Sequence, residues 1–235
     1  MSQSEGPALP SLPKLRRHRR VDVPGIAGRF LPSVAQIDGQ VVPYAEAWDR
    51  YNTESLAESG PLWVALGDSA TQGIGGSHWD RSWVMIVLDQ LRAATGEPWR
   101  LINLAMSGGR FRDVADTQVP VMNEFLPAPD LVTCVIGSND MMWRRGSGRV
   151  IADAVTVAES LPARTLLSRL GGPGKRPREI NNRFREIAAR QDLDLFQVWD
   201  WPSAKGALAH DRIHPSDLGY QYMADCAWAA LQKRL

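Results

Sequence analysis

At 235 residues the chain is long enough for one well-buried domain and too short for two comfortable ones. With 44% hydrophobic residues, 23% charged residues and a net charge of +1, it gives no global reason to expect nucleic acid or an anionic membrane as partner, and no apolar run approaches the ~20 residues of a membrane span. Two cysteines make no disulfide framework; Cys134 in an apolar run and Cys226 in a predicted helix read as thiols of a reducing, cytoplasmic compartment, and no secretion signal is visible.

In chain order, residues 1–20 predict a loose basic tail carrying Lys14, Arg16, Arg17, Arg19 and Arg20. Residues 21–60 predict an arm packed over the domain. Pro24, Gly25, Gly28, Pro32 and Gly39 punctuate it, and a helix over 44–57 closes it. Residues 61–235 form the main domain. The run Leu62, Trp63, Val64, Ala65, Leu66 is a buried strand that stops at Gly67-Asp68-Ser69, and a helix over 81–95 follows. Further strands are predicted over 101–104, 131–136, 164–170 and 193–198. Helices are predicted over 113–125 (interrupted near Pro120), 150–161, 179–190 and 215–233, the last with Pro215 in its first turn. Residues 171–178 read as a basic loop rich in glycine and proline. Strands alternating with helices imply a parallel α/β sheet covered on both faces.

In such a sheet ligands bind past the carboxyl ends of the strands. That edge collects Ser69, the Gly108 region, Asn139 and the loop Asp211-Arg212-Ile213-His214-Pro215. A carboxylate three residues before a histidine can accept from one ring nitrogen and leave the other free to take a hydroxyl proton. The Ser69 and Gly108 N–H groups and the Asn139 amide can converge as donors, which beside an activated hydroxyl make an oxyanion hole for acyl transfer.

Here the chain resembles the SGNH hydrolases, also called the GDSL-like esterase family. The blocks that carry the resemblance are Gly67-Asp68-Ser69, Asn103 through Gly108, Gly137-Ser138-Asn139-Asp140, and Asp211 through Pro215; they come in the family order and span residues 62 to the C-terminus. The resemblance implies a flavodoxin-like three-layer α/β/α sandwich with a five-stranded parallel sheet. It implies Ser69 as nucleophile, Asp211 and His214 as its partners, and Ser69, Gly108 and Asn139 as the oxyanion hole. Ala70 stands where the family often has leucine, away from the chemistry. Loop composition and the arm over 24–30 also resemble the SGNH-type octanoyltransferases that acylate glucosylglycerate.

Other residues carry competing readings. Asp68 and Asp140 read as turn-formers, His210 as surface or rim, and Cys134, inside a strand, as a poor nucleophile. No histidine or cysteine pair has zinc spacing, so no metal is expected, and no cofactor. His78, Trp143, Arg144, Arg176 and Arg178 are candidate substrate contacts, with solvated loops as the plain alternative. Loop tryptophans Trp79, Trp143, Trp199 and Trp201 suit a sugar, and the arginines suit an anionic substrate or the phosphates of an acyl-coenzyme A donor. The expected partner is a small acyl ester or sugar, acted on by an esterase or an acyltransferase. The rival is a non-catalytic binding protein of the same fold.

Overall fold

A computed structural model describes residues 12–15, 17, 18, 32–142, 146–199 and 204–235. Arg16, Arg19, Arg20, the arm over 24–30, Trp143, Arg144 and Trp201 lie outside the described residues.

Two helices, α1 (Pro32–Asp38) and α2 (Val41–Ala57), precede the sheet. Strand β1 (Leu62–Gly67) leads into the four-residue α3 (Ser69–Gln72), and then into α4 (Trp83–Thr95) and β2 (Arg100–Asn103). After a broken helical stretch come β3 (Leu131–Val135), α7 (Ser138–Met142), α8 (Ser147–Ser160), β4 (Leu166–Arg169), α9 (Lys175–Gln191), β5 (Asp194–Gln197) and α10 (Asp217–Leu231). All neighbouring strand pairs are parallel, in the order β2-β1-β3-β4-β5. This is the expected flavodoxin-like order, with its switch point between the carboxyl ends of β1 and β3.

Every residue of β1 is buried, and its period of two divides them between the faces. Leu62, Val64 and Leu66 join Val132 and Cys134 in a layer with Val150, Ala154 and Val157 of α8 and Ile180, Phe184 and Ile187 of α9. Trp63 and Ala65 face the other layer, with Val84, Val87, Leu88 and Leu91 of α4 and Tyr220, Met223, Ala224, Ala227 and Leu231 of α10. The i, i+3, i+4, i+7 spacing of those helical residues is what seats each helix. Each fully buried leucine or isoleucine contributes roughly 1.5–3 kcal/mol relative to exposure. Trp63 can lie in the core because its indole N–H donates to Thr133 Oγ1 at 3.0 Å.

The interruption expected near Pro120 falls just before it, and three other expectations are corrected. α5 (Phe111–Asp113) widens into a π-turn at Val114–Gln118 before α6 (Val119–Phe125) resumes. Proline cannot donate to the carbonyl four residues back, and the wider turn absorbs that missing bond. The basic loop is shorter than expected, because α9 begins at Lys175; Pro177 is tolerated in a first turn, so Arg176 and Arg178 are helical. Pro215 lies outside the last helix, whose N-cap is Ser216, its hydroxyl accepting from Gly219 N–H at 3.3 Å. Arg17, assigned to a loose tail, is buried at 4% exposure and paired with Asp49 at 2.7 Å. Its partners lie far along the chain, so no local pattern marks it.

Candidate active site

The site stands at the switch point. Gly67 ends β1 where the chain has no room for a side chain: a Cβ there would meet Thr71 Oγ1 at 2.4 Å and the Val135 carbonyl at 2.5 Å. Gln118, carried by the π-turn, clamps the Gly67 peptide on both sides. Its amide donates to the Gly67 carbonyl and its oxygen accepts from Gly67 N–H, each at 2.8 Å. Asp68 then caps α3, accepting from Ala70 N–H at 3.1 Å and from the Ser138 hydroxyl at 2.6 Å. Burial pushes the Asp68 carboxyl above the usual range, and those two donors offset part of the rise. Asp68 is therefore a structural acceptor that ties β1 to the loop after β3, as expected.

Asp211 and His214 ride on a narrow hairpin. Leu208 bridges Pro215, Ala209 N–H donates to the His214 carbonyl at 2.8 Å, and Ser216 N–H donates to the Ala207 carbonyl at 2.9 Å. At its tip Arg212 adopts φ +57°, a left-handed conformation that costs a non-glycine residue on the order of 1 kcal/mol. Within this turn Asp211 Oδ1 accepts from the N–H groups of Ile213 and His214, both at 3.0 Å. Its Oδ2 lies 2.6 Å from His214 Nδ1. Across the cleft His214 Nε2 lies 3.0 Å from Ser69 Oγ. Burial raises the Asp211 carboxyl, but the His214 hydrogen bond, its charge and the two backbone donors outweigh it, and the net is below the usual range.

The donor side is equally ordered. Gly108 sits at φ +71°, a turn that favours glycine. Among the described residues the Ser69 and Gly108 N–H groups have no acceptor. One Asn139 amide hydrogen is held by the Gly109 carbonyl at 2.8 Å. The contact to Asp68 Oδ2 is long, at 3.4 Å, and leaves the second hydrogen weakly engaged. A hydroxyl with a base behind it and three donors nearby is an arrangement able to form and cleave an acyl-enzyme.

The remaining candidates scatter. His78 pairs with exposed Asp80 at 2.7 Å and contacts the Tyr44 and Trp79 rings. Trp79 packs on Trp48 and Tyr51, so it is a packing residue and not the free loop tryptophan expected. Trp199 likewise packs against the second core layer. Arg176 donates to Ser147 Oγ, and Arg178 is exposed on α9. His210 is exposed, on the rim of a cleft of about 900 Å³ shared with Gln36, Gln40, Arg212 and Asp217. Asp140 holds Phe111 N–H at 2.9 Å, and Cys134 is fully buried with its thiol pushed up by burial. Among the described residues no group of three or more histidine, cysteine, aspartate or glutamate side chains could hold a metal. No described helix is long and apolar enough to cross a membrane. Gln118, Arg17 and Asn52, which support the site, escape a sequence reading; only the predicted break in the 113–125 helix hinted at the first.

Comparison with curated proteins gives no match. Among solved structures, the psychrotrophic esterase EstA from Pseudoalteromonas sp., in a form inhibited by monoethylphosphonate, superposes with a TM-score of 0.62 at 17% identity, covering 74% of this chain and 97% of its own. TesA gives 0.63 at 19%, covering 74% and 99%. AlinE4, an SGNH-hydrolase family esterase, gives 0.57 at 22%, covering 76% and 98%. These likenesses establish the shared fold. Residues 65–222 match the GDSL-like Lipase/Acylhydrolase family, a span that contains Ser69, Gly108, Asn139, Asp211 and His214. The chain therefore belongs to the GDSL-like lipase/acylhydrolase family, the serine ester hydrolases of the SGNH type.

Proposed function

We propose that the protein cleaves a small acyl ester through an acyl-Ser69 intermediate, with His214 as base, Asp211 as its partner, and Ser69 N–H, Gly108 N–H and the Asn139 amide as oxyanion donors. The observation that carries this reading is the unbroken chain from Ser69 Oγ to His214 Nε2 at 3.0 Å and from His214 Nδ1 to Asp211 at 2.6 Å. In the first half-reaction Nε2 takes the Ser69 proton as Oγ attacks the acyl carbon. The tetrahedral oxyanion collapses, Nε2 passes the proton to the departing oxygen, and an alcohol leaves acyl-Ser69 behind. In the second half-reaction a new hydroxyl gives its proton to Nε2 and attacks the acyl carbon, and Ser69 recovers that proton as it leaves. With water the product is an acid; with a sugar hydroxyl it is a new ester.

The finer reading is transfer of a medium acyl chain, octanoyl, to a sugar-like acceptor such as glucosylglycerate, with an acyl-coenzyme A as a donor that would enter as substrate and not as cofactor. Its C–S bond breaks and its sulfur takes the proton from Nε2, so that the thiol leaves in place of the alcohol. Met142 and Ile213, both 49% exposed, stand on elements carrying Asn139 and His214 and are apolar surface suited to an acyl chain. Arg178 is kept as a contact for an anionic donor; the arm that also resembles the octanoyltransferases lies outside the described residues. Cys134 and Cys226 are thiols and not disulfide-bonded, which suits the reducing cytoplasm proposed as its place. The test is product analysis by mass spectrometry after incubation with octanoyl and acetyl esters, with and without sugar acceptors. Octanoyl-sugar formed at the expense of free acid supports transfer; free acid alone, whatever the acceptor, reduces the protein to a hydrolase.

Asn139→Ala is expected to lower kcat by about 10²–10³ with little change in KM, because its amide acts mainly on charge that develops in the transition state. A raised KM at unchanged kcat would make Asn139 a ground-state binder.

A further inference from the structure

The oxyanion turn is held from outside the family domain. Leu12 and Leu15 pack on the first core layer, and His18 bridges Ser107 in parallel, past the end of β2. The Arg17 carbonyl accepts from Ser107 N–H at 2.9 Å and from the Gln72 side chain at 3.0 Å, and Gln72 also donates to the Ala105 carbonyl at 2.8 Å. Gln72 is fully buried and ends the short helix that Ser69 begins. One backbone carbonyl thus links the nucleophile's helix to the residue before Gly108. At the start of the same turn the Arg17 guanidinium donates to the Asn103 carbonyl while its Nε holds Asp49. Asn52 of α2 brackets the same residue, donating to the Asn103 carbonyl and accepting from Asn103 N–H, each at 2.9 Å. Residues 103–107 are therefore pinned at both ends by groups that lie before the family match at 65–222.

We propose that this N-terminal strap is a positioning element for the oxyanion hole, and that Arg17 is its positioning residue, fixing where the Gly108 N–H points. Arg17 touches neither substrate nor Ser69; it acts through Asn103 and Ser107. Substituting Arg17 keeps its carbonyl on Ser107 and the Asn52 bracket on Asn103 but removes the guanidinium that ties the Asn103 carbonyl to Asp49. The turn is loosened at that end, and a misplacement of about 1 Å can cost on the order of 10²-fold in rate. Donors that matter in the transition state register in kcat and not in KM. Lysine carries the charge but not the fork, so it can meet Asn103 or Asp49 and not both.

The inference rests on reading Ser69, Gly108 and Asn139 as an ester-cleaving centre, and the experiment separates the two. Wild type, Ser69→Ala, Arg17→Ala, Arg17→Lys and Ile187→Ala are compared in the full chain for kcat and KM on p-nitrophenyl esters, for the rate of fluorophosphonate labelling, and for melting temperature. Ile187 is a buried residue of α9, which packs on α8 and β5, and controls for lost stability alone. The expected result is a kcat lower by about 10- to 100-fold in Arg17→Ala, KM within about twofold, labelling slowed by the same factor, and partial recovery in Arg17→Lys. Ile187→Ala, measured below its own melting range, should keep its kcat within about twofold. A wild-type kcat in Arg17→Ala, or a loss no greater than that of Ile187→Ala at equal melting temperature, overturns the strap while leaving the centre standing. Should Arg17→Ala not fold, Arg17→Lys decides alone: a several-fold lower kcat at unchanged KM supports the strap, and wild-type kcat overturns it. Turnover that survives in Ser69→Ala would overturn the centre itself, and the strap with it.

Discussion

Ser69→Ala is expected to abolish acyl-enzyme formation and to lower ester turnover by on the order of 10⁶, the scale at which loss of a triad nucleophile has been dissected. The fold should survive. Among the described residues the Ser69 hydroxyl pairs with His214 alone, and His214 keeps 23% of its side chain exposed, enough for water to take the vacated place. The cap of α3 comes from Asp68, and alanine is a good helix former, so the change in stability should stay within about 1 kcal/mol. The backbone N–H at position 69 also persists, so the variant should still bind esters. Three measurements check this: steady-state hydrolysis of a p-nitrophenyl ester, fluorophosphonate labelling located by peptide mass spectrometry, and thermal unfolding. Wild-type label on the Ser69 peptide, absent from a variant with an unchanged melting curve, is the expected pattern. A folded variant that still turns over ester near the wild-type rate would remove Ser69 from the mechanism. A wild type that neither labels nor turns over any ester would favour the non-catalytic rival.

Local signals were legible in the sequence; distant ones were not. The β1 run, the Gly67 stop and the Asp211-to-His214 spacing are written in adjacent residues, and each names its own geometry: a buried strand, a turn too tight for a side chain, a carboxylate folded back onto an imidazole. Alternation and crossover handedness left only a few topologies; the flavodoxin-like one came from the family resemblance, and its strand order puts the site at the switch point. Arg17 could not be read this way. In a row of arginines it looks like solvent-facing charge, and only contacts 32 and 86 residues away, to Asp49 and Asn103, bury it. Gln118 is similar, since its partner Gly67 is 51 residues distant and it faces that partner from a π-turn. The start of α9 was hidden for another reason. Glycine and proline composition marks a loop, yet proline in a first turn sacrifices a donor that the helix leaves unpaired anyway.

Asp211→Asn is the second large effect, and the hairpin supplies its direction. The two carboxylate oxygens have unequal duties: Oδ1 accepts from two backbone N–H groups, and Oδ2 faces His214 Nδ1. An amide has only one accepting end. If its oxygen stays with the two backbone donors, its NH₂ faces Nδ1 and can only donate to it, which selects the tautomer protonated at Nε2. That tautomer cannot take the Ser69 proton. If the amide flips, its NH₂ opposes two N–H groups, the costlier arrangement of the two. The variant should therefore keep its hairpin and hold the wrong tautomer, with kcat lower by about 10⁴ and KM little changed. Stability should shift with pH in a matching way. The folded Asp211 carboxyl lies below its ordinary value near 3.9, so its contribution is fully present above about pH 3.9 and is lost as pH falls through the lower folded value. The asparagine side chain of the variant has no such proton to bind. The difference in unfolding free energy between wild type and variant should shrink as pH falls below about 4. Near-wild-type kcat in the variant would reduce Asp211 to a turn residue, with His214 oriented by its packing alone.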